Sequence, residues 1–187
     1  MKKLIDPSPR LAAVGAAVAG AASTVNAVIQ LTHEQSSETT VVGTVEHLLL
    51  VAFSVMLLAL VPPAAYLARR VAGAPRLGAV IAVAAVALAV LGTISNVRGE
   101  DPSFFAAIAV PTNLAIFGSF VAIGVKGVRR GFQPRWIAIG LPLVQLAAIP
   151  LSTVGGGLIA AAFWIAIAAW IAGPAERQVA DPVPAAA

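Results

Sequence analysis

The chain has 187 residues, 59% of them hydrophobic and 11% charged, with a formal net charge of +4 and no cysteine. A soluble domain carries about 25% charged residues, so too few polar side chains remain here to cover a water-facing surface, and lipid is the expected solvent. The missing cysteines exclude disulfides, thiolate metal centres and cysteine nucleophiles. The basic residues form short clusters between apolar runs rather than one stripe, so no nucleic acid partner is expected.

A membrane-crossing helix needs about 20 mostly apolar residues. After a short segment at 1–10, the first predicted span is 11–31. The next three are 42–67, 77–97 and 104–125, and the centre of the third (AVIAVAAVALAVLG) carries no charge. The last apolar stretch, 136–172, holds 37 residues. That is too long for one span and just enough for two. Spans are therefore predicted at 136–153 and 158–172, broken at Gly155-Gly156-Gly157 because glycine accepts backbone angles that other residues resist. A broken or re-entrant helix is the alternative there. Residues 173–187, rich in Pro and Ala, are expected to be a disordered tail. The expected fold class is all-α: a polytopic membrane protein built as a six-transmembrane-helix bundle. The two halves show no visible internal repeat.

Cytoplasmic loops of membrane proteins carry an excess of Lys and Arg. Six spans place Lys2, Lys3 and Arg10 on one side with Arg69, Arg70, Arg76, Lys126, Arg129, Arg130, Arg135 and Arg177, leaving only Arg98 opposite. Both ends are therefore expected in the cytoplasm, in a multi-pass protein of the cell membrane. Met1 to Ala27 also has the pattern of a signal peptide, with Val25-Asn26-Ala27 as a small-residue cleavage site. Against it, the apolar run continues through Val28, Ile29 and Leu31. Tyr66, Phe132, Trp136 and Trp170 are expected near the inner interface, and Phe104 and Phe105 near the outer one. Trp164 lies deeper and is expected to pack between helices.

In the first span, Ala12, Gly15, Ala19, Ala22, Asn26, Gln30 and His33 recur at intervals of three or four and share one helix face. The inner half of that face is small and its outer half polar. It reads as a packing seam, compatible with a polar pocket that opens outward. Other polar residues also concentrate towards the outer half: His47 and Ser54, Thr93 and Asn96, Thr112, Asn113 and Ser119, Gln145 and Ser152. Amides in hydrocarbon should face another helix or water. The plain reading is interhelical hydrogen bonding. The sharper one is a ligand pocket lined by Asn26, Gln30, His47, Asn96, Asn113 and Gln145. Prolines at 62, 63, 111, 142 and 150 mark expected bends, because proline removes a backbone donor.

His33-Glu34 closes the first span and Glu46-His47 opens the second. Two imidazoles and two carboxylates brought together by that short loop could hold a divalent metal or act as a proton-linked switch. The spacing matches no metal motif, and solvated helix-end side chains are the default reading. Glu46 near a helix start also suits the helix dipole. The sequence carries no phosphate-binding glycine loop, no Gly-x-Ser-x-Gly nucleophile turn, no mid-span lysine and no histidine pair at bilayer depth. No Asp, Glu, Lys or Arg falls at bilayer centre, which argues against an ion pump. No cofactor is predicted beyond the candidate divalent metal.

Three functional readings follow. The chain binds or transports a small, weakly polar ligand in the outer half of the bundle. Alternatively it is a membrane enzyme using the His33, Glu34, Glu46 and His47 cluster, or an accessory subunit packed against a partner membrane protein or a second copy of itself.

Overall fold

The computed structural model describes residues 7–32, 43–148 and 155–173. These form six helices: α1 (Pro9–Thr32), α2 (Thr44–Arg70), α3 (Pro75–Arg98), α4 (Phe105–Arg129), α5 (Arg135–Ala148) and α6 (Gly156–Ala172). The protein is an all-α bundle, and α1 to α4 are long and apolar enough to cross a membrane. α5 and α6 are shorter. At 1.5 Å per residue they run roughly 21 and 26 Å, against a hydrocarbon thickness of about 30 Å. The expected fifth span reached to 153; the described helix ends at Ala148, and 149–154 lie outside the described residues, as do 1–6, 33–42 and 174–187.

Each helix packs against its neighbour in sequence, and α6 packs against α1, which closes a ring. Neighbours run antiparallel. Ala65 of α2 lies by Gly78 of α3 while Ser54 lies by Gly92, and Ala27 of α1 lies by Gly157 of α6 while Gly20 lies by Ile165. One end of the bundle therefore gathers Arg10, Arg69, Arg70, Arg76, Lys126, Arg129, Arg130 and Arg135, and the Arg69 guanidinium donates to the Pro7 carbonyl at 3.4 Å. The far end holds Glu46, Arg98, Glu100 and Asp101.

Helices in lipid gain nothing from hiding apolar surface from one another, so close packing must hold them together. Glycines supply it. A Cβ on Gly78 would lie 2.7 Å from the Ala65 Cα, so α2 and α3 meet backbone to backbone. Two other seams share a more specific chemistry. Pro63 has no N–H, which deprives the Ala59 carbonyl of its helical donor. Gly15 of α1 sits against that carbonyl; a Cβ there would fall 2.8 Å from the Ala59 oxygen and 2.9 Å from Pro63 Cδ. Pro142 in α5 likewise strips the Ala138 carbonyl, and Gly124 of α4 packs against it and against Pro142 Cδ. In each case a bare Cα approaches an oxygen that lipid could not satisfy, a weak but recurrent contact at helix interfaces. α2 runs through Pro62 and Pro63 without interruption.

Aromatic side chains fill the arginine-rich half. Trp170 meets Tyr66 and Phe132 edge-on, with ring centres 6.4 and 6.0 Å apart. Trp164, only 2% exposed, packs on Phe120 of α4 at 5.8 Å and on Phe163 at 5.6 Å. Phe163 in turn meets Trp136 edge-on at 5.8 Å. Nine consecutive residues of α2, Leu60 to Ala68, are buried. A helix covered on every side at this depth closes the ring's centre at the arginine-rich end. Gly155 (φ 97°) provides the left-handed turn from which α6 starts.

Candidate functional site

The far half is built differently. Between Thr44 and Val51 no residue of α2 is buried, and between Phe105 and Leu114 of α4 only Ala109 is. Polar side chains occupy this less covered region. They arrive from α1 (Asn26, Gln30), α2 (His47), α3 (Asn96), α4 (Asn113) and α5 (Gln145). All except His47 are half-buried, and His47 is exposed.

The structure brings one pair of these together across helices. His47 Nδ1 meets the Asn96 side-chain oxygen, joining the first turn of α2 to the last turn of α3. An amide oxygen only accepts, so Nδ1 is the donor of this bond. A second pair lies within one helix: Gln30 donates to the Asn26 side-chain oxygen at 3.1 Å, four residues apart. That bond leaves the Asn26 amide NH2 and the Gln30 side-chain oxygen with further donor and acceptor capacity. Asn113 instead donates to the Ala109 carbonyl of its own helix at 2.8 Å. The Thr112 hydroxyl likewise turns to a carbonyl of its own helix, that of Ile108. Thr24 and Thr93 also donate to carbonyls four residues earlier, at 3.0 and 2.8 Å. Gln145 stands half-buried near the end of α5.

The face foreseen on α1 has a graded cover. Ala12, Gly15, Ala19 and Ala22 are buried, while Asn26 and Gln30 are partly open. Its companion face, Gly20, Ser23 and Ala27, packs on α6.

Of the candidate metal cluster, His33 and Glu34 lie outside the described residues. Glu46 folds its carboxylate back over Gly43, the residue that opens α2. That is the third helical position, where a carboxylate favours the exposed N–H groups of a helix start. Among the described residues no group of three or more His, Asp or Glu side chains converges, and Glu46 with His47 provides only two ligand types for a metal that usually takes four.

Two buried hydroxyls escaped the sequence reading. Among the described residues the Ser23 and Ser95 oxygens are inaccessible and have no hydrogen-bond partner. Each such orphan costs about 1–3 kcal/mol. Ser95 directly precedes Asn96, so the His47–Asn96 bridge sits above an unsatisfied polar group. A serine inside an apolar run is an ordinary sight in a membrane helix, and nothing in the sequence distinguishes one that fails to bond its own backbone.

Compared with protein-family models, with curated proteins and with solved structures, the chain matches none.

Proposed function

We propose that the chain is a multi-pass protein of the cell membrane, its arginine-rich end in the cytoplasm, which binds or transports a small, weakly polar ligand through the outward half of the bundle. One observation carries this reading. The half that holds His47, Asn96, Asn26 and Gln30 is the half whose helices are least covered, while the opposite half is closed by glycine seams and stacked aromatics. A polar, less covered half beside a closed one suits a neutral ligand that offers one or two hydrogen-bonding groups and an apolar body. The absence of charged residues at mid-depth fits an uncharged ligand better than an ion.

The test is thermal stabilisation of the purified protein by a panel of neutral amides, nucleosides, sugars and heterocyclic vitamins. At least one compound should raise the unfolding midpoint, and His47→Ala and Asn96→Ala should abolish the rise. Stoichiometric copurification of a second membrane protein, with no compound active, would replace this reading with that of an accessory subunit. A tightly held divalent metal lost on His33→Ala would replace it with a metal-dependent enzyme. Orientation has its own check, since the chain has no cysteine. Single cysteines at Gly73 and Gly131 should label only from the cytoplasmic side, and one at Gly99 only from outside.

A further inference from the structure

An open apolar groove of about 490 Å³ runs along the outside of the bundle between α3 and α4. Ala79, Val83 and Ala87 form its α3 wall; Pro111 and Ala115 contribute from α4. It faces away from the ring: Val83 is 73% exposed. On α3 it begins about 6 Å above the helix start and reaches about 18 Å, at 1.5 Å per residue. On α4 its lining lies about 21–27 Å from the Arg129 end, so the groove slants from the basic leaflet past mid-depth, about 15 Å in.

The helical repeat places cations in line with both walls, beside the groove on α3 and about 16–21 Å below it on α4. Arg76, Ala79, Val83 and Ala87 follow at intervals of three, four and four, so Arg76 lies on the groove face of α3. Ala115, Ala122, Lys126 and Arg129 follow at seven, four and three, so Lys126 and Arg129 lie on the groove face of α4. All three are exposed. The Arg130 guanidinium rests against Gly73 in the turn before α3, which ties the end of α4 to the start of α3. Among the described residues this end of the bundle carries no carboxylate to neutralise the cluster.

We infer that this face is a seat for an anionic phospholipid, with one acyl chain along the α3–α4 groove and the phosphate held by Arg76, Lys126 and Arg129. Apolar depth and basic foot match the two parts of such a molecule in their correct order. A zwitterionic lipid would fill the groove equally well but gain less from the cations. Each basic side chain at an anionic surface contributes roughly a fivefold preference.

The experiment counts lipids retained by the full-length protein in native mass spectrometry, with phosphatidylglycerol and phosphatidylcholine offered at equal concentration. Phosphatidylglycerol should be retained in clear excess. The triple variant Arg76→Gln, Lys126→Gln, Arg129→Gln should lose the excess, and Arg76→Lys, Lys126→Arg, Arg129→Lys should keep it. Ala115→Phe, which fills the groove, should reduce retention of both lipids while the protein's helix content stays unchanged. Equal retention of the two lipids by the unaltered protein, or an excess that survives the triple glutamine variant, overturns the proposal. So does competition by glycerol 3-phosphate as effective as by the intact lipid, since that would be a headgroup site without a groove. A second copy of the chain covering α3 and α4 in place of lipid also overturns it.

Discussion

The two ends of this bundle solve the same problem in different ways. Near the arginine-rich end, every helix turn has a neighbour pressed against it, and polar side chains are nearly absent from the contacts. Gly15 meets the carbonyl stripped by Pro63, Gly124 the one stripped by Pro142, and Trp164 and Trp170 fill the middle. At the far end the helices present amides, hydroxyls and an imidazole, and leave much of α2 and α4 uncovered. Since lipid supplies no hydrophobic drive between helices, cohesion must come from packing, and packing is concentrated at one end. The far end is held by contacts worth little individually, which leaves it free to admit something else.

Four experiments sharpen that contrast. The largest effect is expected from Trp164→Ala, which empties the centre of the closed half; removing a buried aromatic costs about 3–5 kcal/mol in well-packed cores. Thermal unfolding in detergent should show it, together with a smaller tryptophan fluorescence change on unfolding, since Trp136 and Trp170 remain. Gly124→Val comes next. Its added atoms collide with the Ala138 backbone oxygen, which cannot rotate away, and overpacking of this kind costs about 1–3 kcal/mol. Gly118→Ala is the matched control on the same helix. A Cβ there meets nothing within 4 Å, so the helix should gain up to about 1 kcal/mol from the better propensity of alanine. The smallest effect belongs to the far end: a double-mutant cycle of His47→Ala and Asn96→Ala should give a coupling of about 0.6 kcal/mol in the absence of ligand. A coupling several times larger would make the bridge a structural clamp, and the division into a closed and an adaptable half would fail.

Much of the fold is legible in the chain because its signals are local. Hydropathy and length mark the helices, and each predicted start lies within a few residues of the observed one: 11 against Pro9, 42 against Thr44, 77 against Pro75, 104 against Phe105. The three- and four-residue spacing of Ala12, Gly15, Ala19 and Ala22 marks a buried face, because a helix repeats every 3.6 residues. What the chain does not display is which helix that face meets. Gly15 and Pro63 are separately visible as a small residue and a bend, yet their partnership depends on a stripped carbonyl and a bare Cα meeting between residues 48 positions apart. His47 and Asn96 stand apart in the same way. Both appear among the expected polar residues, and only the packing of α2 on α3 joins them, while Asn113 spends its donor on its own helix. The His33 and Glu34 half of the acidic cluster lies outside the described residues, and Glu46 is occupied at a helix start.

Closing the ring through α6 and α1 has a consequence for how the protein is made. The ribosome delivers α1 first and α6 last, so the Gly20, Ser23 and Ala27 surface waits through the synthesis of about 130 further residues before its cover arrives. Assembly is thus gated by the final helix. A nascent chain halted before Gly156 would hold the first five helices with the Gly20, Ser23 and Ala27 flank of the first still uncovered.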